Sequence, residues 1–219
     1  MARLSDHRAA CGSPRTSMSR RLVLLRHGET DWNAAHRIQG QLNSELNETG
    51  LAQAAAVAPR IAAFKPSALW TSDLHRAART AEIVGASCGL TPVPDERLRE
   101  YGLGSLEGLT HDEYFAQDPD GFAVFRAAEW GALAEVEPPE EVAKRFVAAL
   151  TDLVAALGPG GAGVAVAHGA AIRTGVVGWL GWPAAAARDF RALGNCAWVE
   201  LEERHTGGWA LAAYNLTAS

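Results

Sequence analysis

The chain has 219 residues, enough for one domain with a sizeable core and too few for two comfortable ones. Apolar residues make up 48% and charged residues 21%, ordinary proportions for a globular protein. A net charge of −5 offers no broad cationic face, which excludes a general nucleic-acid or membrane-surface binder, and no apolar run approaches the ~18 residues of a spanning helix.

Residues 1–20 hold four arginines, one aspartate and scattered Ser, Gly and Pro, without the apolar stretch of a secretory signal. They read as a disordered basic tail, and Met18, just before the first apolar run, is a candidate natural start. Residues 22–25 are an unbroken apolar run, the pattern of a strand covered on both faces. An alanine-rich helix is predicted over 49–64, stopped near Pro66, and a second buried strand over 68–71. Ser72 or Asp73 then caps a helix running to Cys88, with Gly89 beyond it. Residues 110–137, with the breaker pairs Asp118-Pro119 and Asp120-Gly121, read as short helices and loops rather than core. A helix over 140–157, a buried strand over 163–167 and a helix over 170–180 follow. Strands over 196–201 and 209–214, joined by a turn at 206–208, close the chain. This alternation predicts one α/β domain over 21–215, with a mainly parallel central sheet sandwiched between helices. The three cysteines, Cys11, Cys88 and Cys196, are widely spaced with no CxxC, which points to reduced thiols in a cytoplasmic protein.

Two of the predicted strands end alike, in Arg26-His27-Gly28 and in Ala167-His168-Gly169. Ligands of open parallel sheets bind at the carboxyl ends of strands. If these strands are neighbours, the two imidazoles face each other there, each followed by a glycine that permits a tight turn and close backbone approach. A lone His-Gly is more often structural; two at one level of a sheet reverse that weighting. A metal site with Glu29 or Glu100 is one option, but the adjacent Arg26 repels a divalent cation and suits a phosphoryl group that guanidinium grips with paired hydrogen bonds. One neutral imidazole then attacks phosphorus while a second, protonated, offsets charge.

Arg26-His27-Gly28-Glu29-Thr30 followed by Asn33 resembles the signature of the histidine phosphatase superfamily, the phosphoglycerate mutase-like proteins. Three further blocks follow in the family's order: residues 71–81, residues 98–108 and residues 166–169. The resemblance implies the three-layer α/β/α fold and a phosphohistidine on His27, whose other ring nitrogen is held by the Gly28 carbonyl. It implies Arg26, Arg76 and His168 around the transferring oxygens. It makes Glu100 the proton donor to the leaving oxygen, a role that requires a carboxyl carrying a proton at working pH and favoured by nearby substrate phosphate. Thr30, Asn33, Gln39 and Gly40, with Gly28 and Gly169, match positions lining the phosphate or the substrate entrance. No metal and no organic cofactor is implied. The partner is a small phosphorylated metabolite, with a homodimer left open.

The neighbouring residues take blander readings. Arg79 reads as a solvated charge, Glu107 as structural or rim, and His36, His75, His111 and His205 as surface or structural. Trp32 and Trp70 read as packing. Residues 158–163 match GxGxxG, yet the stretch follows a helix and enters a strand, the reverse of a dinucleotide loop. From Leu109 to Glu141 the one Lys or Arg is Arg126, too little cationic charge to retain a bisphosphorylated intermediate, and Ala170 stands where mutases carry asparagine. Water is therefore the expected acceptor, making the chain a phosphomonoesterase. A phosphoglycerate mutase and a non-catalytic phospho-ligand module are the alternatives. Residues 126–130 and 194–198 are similar to an actinobacterial type within the phosphatase branch. Pro138-Pro139-Glu140-Glu141 and Asn43-Ser44-Glu45-Leu46 depart from the usual pattern at the substrate mouth.

Overall fold

The computed structural model describes residues 19–218. The expected disordered tail, with Met18 and Cys11, lies outside the described residues except at its end. Arg20, assigned to that tail, belongs to the domain: its guanidinium pairs with Glu203 at 2.6 Å and its carbonyl accepts the Glu203 N–H.

Six strands form one sheet. β1 (Arg21–Arg26), β2 (Ala68–Thr71), β3 (Val93–Pro94), β4 (Ala162–Ala167), β5 (Trp198–Glu203) and β6 (Trp209–Leu216) lie in the order β3-β2-β4-β1-β5-β6. The first four are mutually parallel, and β5 and β6 close the sheet antiparallel. The two-residue β3 carries no sequence pattern and is absent from the predicted strands; its pairing to Trp70 and Thr71 alone makes it a strand. The helices are α1 (Asp31–Ala34), α2 (Glu48–Ala62), α3 (His75–Cys88), α4 (His111–Gln117), α5 (Pro119–Arg126), α6 (Pro139–Ala155) and α7 (Gly169–Trp179).

The period of two in the strands explains the layers. Val23, Leu25, Val164 and Val166 pack with Val57 and Ile61 of α2 and Ala77, Ala81 and Val84 of α3. Leu22, Leu24, Ala165 and Ala167 face the other way, onto Phe146 and Leu150 of α6 and Ile172 and Val176 of α7. Both sheet faces are thus covered, and the fold is the expected three-layer α/β/α sandwich.

Two local readings need correction. Neither Ser72 nor Asp73 caps α3, whose N-cap is Leu74 without a side-chain bond. The Ser72 hydroxyl accepts the Leu74 N–H and meets His168, while Asp73 pairs with Arg99. The segment 110–137 also contributes to the core: Tyr114 and Val136 are buried in the α6/α7 cluster. Asp118-Pro119 starts a helix instead of breaking one, since the Asp118 carboxylate accepts the Gly121 N–H and proline is tolerated in a first turn.

Candidate active site

The site follows from the register. Arg26 pairs with Ala167 across β1 and β4, so His27 and His168 leave adjacent strands at the same level. The next long helix after β1, α2, packs on one face, whereas α7 after β4 packs on the other. The connections therefore diverge and open a crevice at the carboxyl ends of these strands, a topological switch point. The imidazole centroids stand 5.2 Å apart, with ring planes inclined at 56°.

Both rings are buried, His27 at 3% exposure and His168 at 0%, and Arg76, from the first turn of α3, is buried with them at 1%. His27 Nδ1 lies 2.7 Å from the Gly28 carbonyl oxygen. A carbonyl only accepts, so Nδ1 carries the hydrogen and Nε2 keeps its lone pair. Burial, with the Arg76 and Arg26 charges next in weight, holds the His27 pKa well below the usual imidazole value. His168 is lowered in the same way, by burial first and then Arg76. Burial beside the two guanidiniums thus favours the neutral form of both rings. The standing positive charge is on the two guanidiniums.

Ser72 fixes the second ring. Its hydroxyl oxygen already accepts the Leu74 N–H and lies 2.9 Å from His168 Nε2. When the hydroxyl donates to Nε2, the ring hydrogen sits on Nδ1, which has no protein partner. The Nε atoms of Arg26 and Arg76 are likewise buried without a protein partner, although buried N–H groups are otherwise almost always bonded. Three orphan nitrogens on three residues that depress the His27 pKa, or face its ring, fit an anion.

The cations are held by backbone carbonyls. Arg76 donates to Gly40 O at 2.7 Å and to Leu42 O at 2.8 Å, and Arg26 donates to Leu193 O at 2.5 Å. Burial pushes the Arg76 pKa down to about 10, which leaves it charged at neutral pH. Exposed Arg79 instead pairs with Glu82 at 2.8 Å, as a solvated charge would.

Glu100 lies close enough to Arg26 and Arg76 for its charge to act on both guanidiniums. Its carboxylate accepts the N–H groups of Tyr101 at 3.0 Å, Ala171 at 2.8 Å and Ala170 at 3.2 Å. It therefore serves the otherwise unpaired first turn of α7. Glu107 acts elsewhere, since one of its oxygens accepts the N–H groups of Gln41 and Leu103 and so shapes the loop that holds Arg76.

Of the expected lining residues, Thr30 caps α1 in a reciprocal box with Asn33. Asn33 Oδ1 also accepts from Asn195, whose amide bonds the His27 carbonyl, both at 3.2 Å. Gln39 accepts the Ser44 hydroxyl. Gly40 has φ +50°, and a Cβ there would fall 2.1 Å from the Glu107 carboxylate. Gly28 is required by packing and not by a tight turn: a Cβ would lie 2.5 Å from the Gly50 carbonyl of α2. At Gly169 a Cβ would meet Arg26 at an ordinary 3.5 Å, so that glycine is not forced by crowding.

As residues of the site, Ser72, Thr80, Arg145 and Asn195 escaped the sequence reading. Thr80 accepts the Gly28 N–H and donates to the Arg76 carbonyl, linking the two blocks. Among the described residues no three His, Cys, Asp or Glu side chains come together as metal ligands. Nor is any described helix long and apolar enough to cross a membrane. Buried Cys196, whose N–H bonds the His27 carbonyl, has its thiol pushed up to about 12 by burial and stays protonated. A groove of about 710 Å³ lies against α6 and α7; Tyr101 and Ala170 are among its lining residues, and neither imidazole is.

Residues 22–217 match the histidine phosphatase superfamily (branch 1), and the chain belongs to that family. A glucosyl-3-phosphoglycerate phosphatase of Mycobacterium tuberculosis is 36% identical over 214 residues, covering 91% of this chain and 96% of the relative. A protein of Cronobacter sakazakii named probable phosphoglycerate mutase GpmB is 37% identical over 196 residues, 87% of this chain and 90% of the relative. The solved structure of the mycobacterial glucosyl-3-phosphoglycerate phosphatase with VO3 matches with a TM-score of 0.85 at 36% identity, covering 90% of this chain and 100% of that one.

Proposed function

We propose that the chain hydrolyses a small phosphorylated metabolite through a phosphohistidine on His27, and that its substrates are sugar or glycerate phosphates of the glucosyl-3-phosphoglycerate kind. The observation that carries this reading is the neutral, buried His27 with Nδ1 tied to Gly28 and Nε2 left as a nucleophile beside two guanidiniums. Nε2 attacks phosphorus and the ester P–O bond breaks, while Arg26, Arg76 and the Nδ1–H of His168 hold the transferring oxygens. His168 gains a proton only as the anion's charge offsets the guanidiniums. Glu100 takes up a proton as the substrate phosphate dianion arrives beside it, and gives that proton to the leaving oxygen. It then takes one from the water that attacks the phosphohistidine, and P–N cleavage returns neutral His27 with free phosphate. Asn33, Gln39 and the Gly40 backbone line the entrance, and no metal or organic cofactor takes part. Three widely spaced cysteines with no CxxC support a cytoplasmic setting.

The GpmB likeness favours a mutase as the second reading. Against it stands the single cation, Arg126, between Leu109 and Glu141. Assaying release of inorganic phosphate beside interconversion of 3- and 2-phosphoglycerate separates the two. Phosphate release is expected to dominate, with an acid-labile phosphoenzyme that His27→Ala abolishes together with turnover. Interconversion faster than release would overturn the phosphatase reading. Ligand binding without turnover of any phosphomonoester would leave a binding module.

A further inference from the structure

We propose that Arg145 and Glu137 form a clamp that sets the position of Glu100, and that Arg145 is a positioning residue for leaving-group departure; the proposal rests on the reading of Glu100 as the proton donor. Arg145 projects from α6 and uses all five of its guanidinium hydrogens. Nε and Nη2 grip the Glu137 carboxylate at 2.8 and 2.9 Å. Nη1 donates to the carbonyls of Arg97 at 2.9 Å and Arg99 at 2.6 Å, and Nη2 to the carbonyl of Glu100 itself at 2.9 Å.

Glu137 completes the grip on the far side of Glu100. Its carboxylate accepts the Gly102 N–H at 3.1 Å, and its own N–H donates to the Gly102 carbonyl at 2.7 Å. One ion pair thus holds the chain immediately before and after the carboxyl-bearing residue. Both partners are largely buried, with 18% and 22% side-chain exposure, so the pair is not one of the loose surface contacts that contribute little. The Glu100 carbonyl also accepts Gln41 Nε2 at 3.0 Å, and Gln41 sits between the Gly40 and Leu42 carbonyls that hold Arg76. The clamp therefore places the carboxyl relative to the phosphate-facing guanidinium. Displacement by about 1 Å at such a group costs on the order of 100-fold in rate.

A group that acts through Glu100 should matter most where proton donation matters most. The test compares kcat/KM for an alkyl phosphate and an aryl phosphate, whose leaving group needs no proton, in Arg145→Met, Arg145→Lys, Glu137→Gln, Glu100→Gln and the Glu100→Gln/Arg145→Met double variant. Arg145→Met is expected to lower the alkyl-to-aryl ratio about tenfold or more. Arg145→Lys and Glu137→Gln should lower it less, and they carry the test if Arg145→Met does not fold. The double variant should match Glu100→Gln within about twofold, because the clamp has nothing left to position. Equal losses on both substrates, or a double variant showing the product of the two single losses, would overturn the clamp. A normal ratio in Glu100→Gln would instead remove the proton-donor reading itself.

Discussion

At the scale of the residue, the chemistry rests on burial. An exposed imidazole is part-protonated near neutrality; His27 is withdrawn from water beside two guanidiniums and is available as a nucleophile over a wider acid range. Arg76 shows why the side chain type matters. Its two Nη atoms are engaged by the Gly40 and Leu42 carbonyls and Nε remains, a division that a single ammonium cannot reproduce. Arg76→Lys should therefore lower kcat/KM by roughly 10- to 100-fold and weaken competitive inhibition by inorganic phosphate; unchanged inhibition would place Arg76 outside the anion site. Glu100→Gln should make aryl phosphates accumulate acid-labile phosphoenzyme, since the second step loses its base. Failure to trap that species would count against Glu100 in hydrolysis.

At the scale of the element, the loop that carries His27 depends on how closely α2 approaches it. Gly28 and Gly50 meet backbone to backbone, and a Cβ on Gly50 would fall 2.1 Å from the Glu29 carbonyl. Gly28→Ala should thus cost about 1–3 kcal/mol of stability, as overpacking does, and carry His27 out of register. Gly169→Ala, whose Cβ meets only ordinary contacts, should change stability by no more than about 0.5 kcal/mol. Chemical denaturation of the two variants checks the contrast, and equal effects would mean that the α2 contact is not what demands glycine at 28. The first turn of α7 is another case of one element completing another, because its unpaired N–H groups are served by the Glu100 carboxylate from a distant loop.

At the scale of the whole molecule, the two neutral histidines tie stability to pH. Their folded-state pKa values lie below the unfolded value near 6.5, so below that pH the unfolded chain binds more protons and the folded state loses stability. Each ring contributes a slope of up to about 1.4 kcal/mol per pH unit until it titrates. Denaturation of the ligand-free protein between pH 6.5 and 5 should show stability falling with acidity, and His168→Asn should make the slope shallower. A slope unaltered by that substitution would mean that His168 is already protonated in the fold. The depressed carboxylates Asp73, Asp95 and Glu203 act in the same direction at lower pH, as each loses its arginine partner's stabilisation on protonation.

Five of the six strands of the sheet and the two His-Gly ends were readable in the chain because they are local. A run such as residues 22–25, apolar at every position, can only be covered on both faces, and a histidine placed directly after such a run must emerge at a strand end. What the chain alone could not reveal is set by partners far apart in sequence: Ser72 on His168, Asn195 on the His27 carbonyl, Arg145 on the carbonyl of Glu100. No spacing rule encodes these contacts, since each exists only after β1, β4 and α6 have packed. The order of the strands likewise arises from which faces the helices cover. Sequence by itself therefore determined which residue types could perform phosphoryl chemistry and at which strand ends. Tertiary structure alone decided their protonation, their tautomers and what holds each of them still, because those properties depend on burial and on neighbours that the linear chain keeps apart.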